Sequence, residues 1–113
     1  MEGLAPGIDR AHLDRLRRGR VEVDYEIDLH GLSARDAGAA LRSALLEAVE
    51  RGGRCVLVVH GRGRGSEAGP VLKEALVGWL EAPPVARWVM AFATARPDDG
   101  GAGATYVLLR RSR

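Results

Sequence analysis

The sequence is poor in cysteine, in aromatic side chains and in lysine. Cys55 is the only cysteine, which excludes an intrachain disulfide and a thiolate-based zinc site. It opens an apolar run and reads as a small core residue. Two Trp, two Tyr and one Phe are the whole aromatic complement, so the core must rest on Leu, Val and Ala. No aromatic-rich platform for stacking single-stranded bases is visible, and Trp79 and Trp88 read as core. No apolar run is long enough to cross a membrane and no secretory segment is evident. The expected compartment is therefore the cytoplasm, with no membrane partner. Lys73 is the one lysine among 17 basic residues. Arginine suits bidentate phosphate contacts, although a GC-rich genome gives the same bias. The net charge of +2 names no partner.

What is present is enough for one small domain. A chain of 113 residues buries roughly two-thirds of its unfolded surface. Its apolar share of 46% and charged share of 28% are those of an ordinary globular protein.

The most informative stretch is Val56–Gly65, VLVVHGRGRG. A buried strand ends at His60, a glycine-rich loop follows, and a helical pattern begins near Glu67. Gly61, Gly63 and Gly65 let backbone approach an anion closely. Arg62 and Arg64 add fork-shaped donors for phosphate oxygens, and a helix N-terminus favours negative charge. The spacing is not the dinucleotide fingerprint, and no Gly-Lys-Ser/Thr is present.

Taken in order, residues 1–8 read as a tail. Asp9 caps a short helix that stops at Gly19. The arginines at its end, Arg15, Arg17 and Arg18, complement the helix dipole or form a phosphate-contacting arm. Val21–Leu29 alternates and reads as a strand. Ser33 starts a helix with a stripe at 37, 40, 41, 44, 45, 48 and 49, and Gly52-Gly53 stops it. Cys55–Val59 is nearly all apolar, as a parallel strand covered on both faces should be. Glu67–Glu81 is a second long helix, Val85–Ala95 a third strand, and Ala104–Arg110 a last one. Residues 96–103 form a loop of turn formers, so the last two strands should make an antiparallel hairpin. The order is βαβαββ with a four-stranded mixed sheet, preceded by a short helix. Residues 1–20 are tail and helix, and 21–113 the main domain.

Ligands of open α/β sheets bind beyond the carboxyl ends of parallel strands. Asp28 and His30 end the first strand and His60 the second. If these strands are neighbours, an acid and two imidazoles meet beside the glycine loop. That set suits acid–base phosphodiester chemistry, or plain phosphate binding. Asp, His and His are also acceptable metal ligands, but nothing fixes coordination distances. No metal site is expected to be tight, and a loosely held divalent ion such as Mg2+ near Asp28 stays open.

These motifs resemble a known family. Ile27-Asp28-Leu29-His30-Gly31 is similar to the LDLHG motif of Smr (small MutS-related) domains, with isoleucine in place of the usual first leucine. His60-Gly61-Arg62-Gly63 is similar to their HGxG motif. Gly100-Gly101-Ala102-Gly103-Ala104-Thr105 resembles their glycine-rich segment before the last strand, and the ending looks like the stand-alone bacterial branch. The resemblance implies a two-layer α/β sandwich like the C-terminal domain of bacterial translation initiation factor three. It implies nucleic acid binding and, in several members, nicking of DNA or cleavage of RNA. The expected site is then Asp28, His30 and His60 for catalysis, with Gly31, Gly61, Arg62, Gly63, Arg64, Gly65, Gly101 and Gly103 around the phosphates, in a monomer. The alternative is a nucleic-acid- or ribosome-binding module without chemistry. A small-molecule phosphohydrolase is a third reading, for which no lid is evident.

Overall fold

The computed structural model describes residues 1–61 and 69–111. Three helices and five strands follow in the order β1 (Glu2–Leu4), α1 (Arg10–Arg17), β2 (Tyr25–Asp28), α2 (Ala34–Glu50), β3 (Cys55–Val59), α3 (Gly69–Leu80), β4 (Val89–Thr94) and β5 (Ala104–Leu109). The sheet order is β1-β4-β5-β3-β2. β2 runs parallel to β3, and the remaining pairs are antiparallel. A strand, a helix and a parallel strand form the expected crossover unit, and β4 and β5 form the expected hairpin.

The helices start where their capping residues put them. Asp9 accepts the Ala11 amide at 2.9 Å and opens α1. Ser33 Oγ accepts the Asp36 amide at 3.1 Å and opens α2. The predicted start of α3 at Glu67 lies outside the described residues. Ala37, Leu41, Leu45, Ala48 and Val49 of α2 and Leu72, Leu76 and Leu80 of α3 are buried over one face of the sheet. Each of those leucines contributes roughly 2 kcal/mol on leaving water.

Three expectations are corrected. The sheet has five strands, not four: residues 2–4, read as tail, pair with β4 in the register Glu2↔Ala93 and Leu4↔Ala91. Three residues are too few to show a period, and only a distant partner defines the strand. The fold is also more than two layers, because Leu13 and Leu16 of α1 pack on the second face. Ala91, Ala93 and Ala95 present only methyl groups there, which leaves room for the helix. Finally, two strands are shorter than their apolar patterns. β2 begins at Tyr25 because the Asp24 carboxylate turns to accept the amides of Arg54 and Cys55 at 2.9 and 3.1 Å. β4 begins at Val89 because residues 86–88 form a 3-10 turn.

Candidate functional site

The topology brings the carboxyl ends of β2 and β3 to one rim. Asp28 pairs with Val59, and the Leu29 amide donates to Val59 O at 2.7 Å. β5 starts at the same rim, since Val59 pairs with Ala104. Asp28, His60 and the glycine-rich segment 100–103 therefore meet at one edge of the sheet.

Asp28 and His30 are together on the outside. The His30 amide donates to Asp28 Oδ1 at 3.0 Å, and His30 Nδ1 lies 3.4 Å from the same oxygen. The strand end and this turn hold the carboxylate, and the carboxylate holds the ring. Gly31 follows at φ +84°, where a side chain would be strained. A proton on Nδ1 shared with Asp28 leaves Nε2 to accept another. Both side chains are partly open to solvent, His30 by 49%.

His60 belongs to the rim by its backbone and to the interior by its side chain. Successive strand residues alternate faces. Tyr25, Ile27 and Leu29 pack with α2 and α3, so Asp28 points to the other side. Val56 and Val58 are in that same helix-covered layer, and His60 follows their face. Its ring is 2% exposed, and Nε2 shares a hydrogen bond with Thr105 Oγ1 at 3.0 Å. Burial, and then the charge of Lys73, push the imidazole down from 6.5 to about 4. It is neutral at physiological pH. The side chain of His60 is thus not brought alongside Asp28 and His30.

The glycines close the rim. The amides of His60 and Gly61 both donate to Gly103 O, at 3.0 and 3.1 Å. A Cβ on residue 103 would stand 2.1 Å from Gly61 O, so only glycine fits. Gly101 lies in the preceding 3-10 turn, Gly101–Gly103. Arg62, Gly63, Arg64 and Gly65 lie outside the described residues. Beneath the junction a cleft of about 440 Å³ is lined by Glu26, Leu57, Val59, Gly61, Asp98, Asp99, Gly100 and Gly103. Asp99 accepts a hydrogen bond from the Tyr106 hydroxyl. Burial and that bond raise the Tyr106 phenol above its usual range.

Two residues of this arrangement escaped the sequence reading. Thr105 appeared only as the end of a glycine-rich segment. The signal was a hydroxyl inside an otherwise apolar strand. Lys73 appeared only as the one lysine, and it sits half-buried on α3, near enough to His60 to depress its basicity. Cys55 is core, as read: burial, with Asp24 and Asp99, pushes its thiol up to about 12. Among the described residues no group of three His, Cys, Asp or Glu side chains is arranged to hold a metal ion, and no helix is long and apolar enough to cross a membrane.

The geometry has counterparts in known proteins. The Smr domain family model matches residues 27–110. The chain is 35% identical over 109 residues to ribosome rescue factor SmrB of Shewanella oneidensis, covering 96% of this chain and 57% of that one. SmrB of Shewanella baltica matches over the same shares, so the chain spans little more than half of these relatives. Among solved structures, YdaL, a stand-alone small MutS-related protein from Escherichia coli, superposes with a TM-score of 0.78. It is 30% identical, over 97% of this chain and 82% of that one. The Smr domain of Thermus thermophilus MutS2 gives 0.63 at 35% identity, over 76% of this chain and 98% of that one. The matched span holds both histidine motifs, the glycine junction and the sheet from the second half of β2 onward, and on that ground the chain belongs to the Smr domain family.

Proposed function

We propose that this chain is a nucleic-acid-binding module whose target is RNA on the ribosome, in the cytoplasm. The observation that carries the reading is the rim itself. An Asp28–His30 contact at 3.4 Å stands on the same sheet edge as the Gly61–Gly103 backbone junction. The lack of side chains lets a phosphate come close to the junction, whose own amides are bonded within the chain, and Arg62 and Arg64 of the Gly61–Gly65 sequence supply the charge. Gly31, Gly101 and Gly103 keep side chains off the path. The name carried by the SmrB relatives, ribosome rescue factor, supports the ribosome as the source of the RNA.

A second reading, phosphodiester cleavage or nicking, is favoured by the Asp28–His30 contact alone. In it His30 Nε2 takes the proton of the attacking oxygen, and Asp28 orients the ring and stabilises its charged form. His60 is the positioning residue. Neutral and buried, it fixes through its own amide the loop on which the phosphate rests. A Mg2+ ion, if used, would be hydrated and held through Asp28, since magnesium keeps several waters and needs one or two carboxylates.

Binding and cleavage are separated by one experiment. Single-stranded RNA, ribosomes and supercoiled plasmid are each incubated with wild type, Asp28→Asn, His30→Ala and His60→Ala, with Mg2+ and with chelator. Salt-sensitive RNA binding is expected of wild type. If the second reading holds, His30→Ala lowers the cleavage rate about 100-fold and leaves binding in place. Equal cleavage by wild type and His30→Ala would remove His30 from the chemistry, and no RNA or ribosome binding by wild type would end the first reading. Activity that survives chelator would dispense with the metal.

A further inference from the structure

We infer that Arg18, Arg20 and Arg96 form a second phosphate grip at the β4 end of the rim, which holds the nucleic acid away from the Asp28–His30 pair. The inference rests on the nucleic-acid reading above and adds to it the length and path of the ligand.

β3 and β4 both run antiparallel to β5, so their carboxyl ends share one edge. Arg96 follows β4 at that edge. Its amide donates to the Tyr106 hydroxyl at 3.3 Å, and its guanidinium Nη1 donates to Arg18 O at 2.8 Å. Its Cδ packs so closely on residue 19 that a Cβ there would stand 2.6 Å away. The end of α1 is thereby fastened to the loop that leads into the glycine-rich segment. Arg18, Arg20 and Arg96 are all exposed.

These arginines are not consumed by local pairing. Glu2 is engaged by Arg10 and Arg17, and Asp14 by Arg17. Arg18, Arg20 and Arg96 take part in no ion pair among the described residues. Nor does the helix end require all of them. Arg15 and Arg17 already stand in its last turn, and the Arg18 carbonyl is satisfied by Arg96.

Three strand spacings separate β4 from β2 in the sheet order. At about 4.8 Å each this is roughly 14 Å, more than a single phosphate group spans. Asp98 and Asp99 line the cleft between. They repel a phosphate that would enter that cleft, so the arginines at the β4 end and the glycine junction hold different phosphates of the strand.

The test is the salt dependence of binding to a twelve-nucleotide single-stranded RNA, read by fluorescence anisotropy, for wild type and Arg18→Ala/Arg20→Ala. Both side chains are exposed, so the fold should survive, which a denaturation midpoint verifies. Two lost contacts at roughly 0.7 each make the slope of log affinity against log salt shallower by about 1.4, or about 25-fold weaker binding at 0.1 M salt. Arg42→Ala/Arg51→Ala removes the same charge from exposed positions on α2 and at its C-cap and should leave the slope unchanged. An unchanged slope in Arg18→Ala/Arg20→Ala, or equal losses from both pairs, would overturn the grip while leaving the binding reading intact. Absence of salt-sensitive binding by wild type would overturn both.

Discussion

The two histidines that end neighbouring strands show what one rim can do with one side chain. His30 stands beyond β2, half in solvent, against a carboxylate. His60 stands beyond β3, sealed, against a hydroxyl and under a lysine charge. Their motifs look equivalent in the sequence. The pleat separates them: an apolar residue packed under the helices at Ile27 sends Asp28 outward, and the same logic at Val58 sends His60 inward. The exposed pair stands at the rim, partly open to solvent. The buried ring is held neutral and ties β3 to the start of β5. The difference teaches that shared placement at a strand end fixes proximity but not chemistry, which is set by the face.

The largest test of that contrast is at the glycines beside each histidine. Gly103→Ala drives a methyl group against Gly61 O, and neither backbone can move aside without breaking the hydrogen bonds that the His60 and Gly61 amides donate to Gly103 O. The expected cost is about 4 kcal/mol, or loss of folding. Gly31→Ala meets nothing within 4 Å and suffers only its positive φ, for about 1 kcal/mol. Urea denaturation of the two variants measures both. Equal costs would mean that the His60 side of the rim is no more tightly built than the His30 side.

A smaller effect follows from protonation. Unfolded His60 takes up its proton below pH 6.5, whereas the folded ring resists until about 4. Between those values the unfolded chain binds more protons, so stability rises with pH across the window. The contribution is fully present above pH 6.5 and is lost as pH falls through about 4. Between pH 7 and pH 4.5 it amounts to about 2.5 kcal/mol. The measurement is the difference between wild type and His60→Gln in urea at both pH values, which isolates this one group. Identical pH slopes would place His60 in an environment as open as that of His30.

Much of this is legible in the sequence, and what is not has physical causes. The helix starts at Asp9 and Ser33 were readable because capping is local chemistry. The parallel pair was readable because Cys55–Val59 is apolar at every position and a long helix precedes it. β1 was not, because Glu2–Leu4 is a strand only through its partner on β4. The second-face position of α1 was hidden for the same reason, since Ala91, Ala93 and Ala95 look like any small residues until a helix lies on them. At the site, the Asp28–His30 contact followed from a spacing of two at a strand end. The burial of His60 did not, because it depends on the parity of the pleat relative to the helix layer and on a threonine 45 positions away.

That threonine gives the smallest and most specific test. His60 Nε2 and Thr105 Oγ1 are both buried and share one hydrogen bond at 3.0 Å. Thr105→Val keeps the volume and removes the hydroxyl, which leaves the ring nitrogen unpaired in a dry setting, at a cost of about 1.5 kcal/mol. When His60 is first replaced by leucine, the same change removes the second of two buried polar groups and should cost almost nothing. The double-mutant cycle in urea therefore should show a coupling of about 1.5 kcal/mol. Thr105→Ser retains the oxygen and should recover most of it. Additive costs would dissolve the pair, and burial by the helix layer would be all that distinguishes His60 from His30.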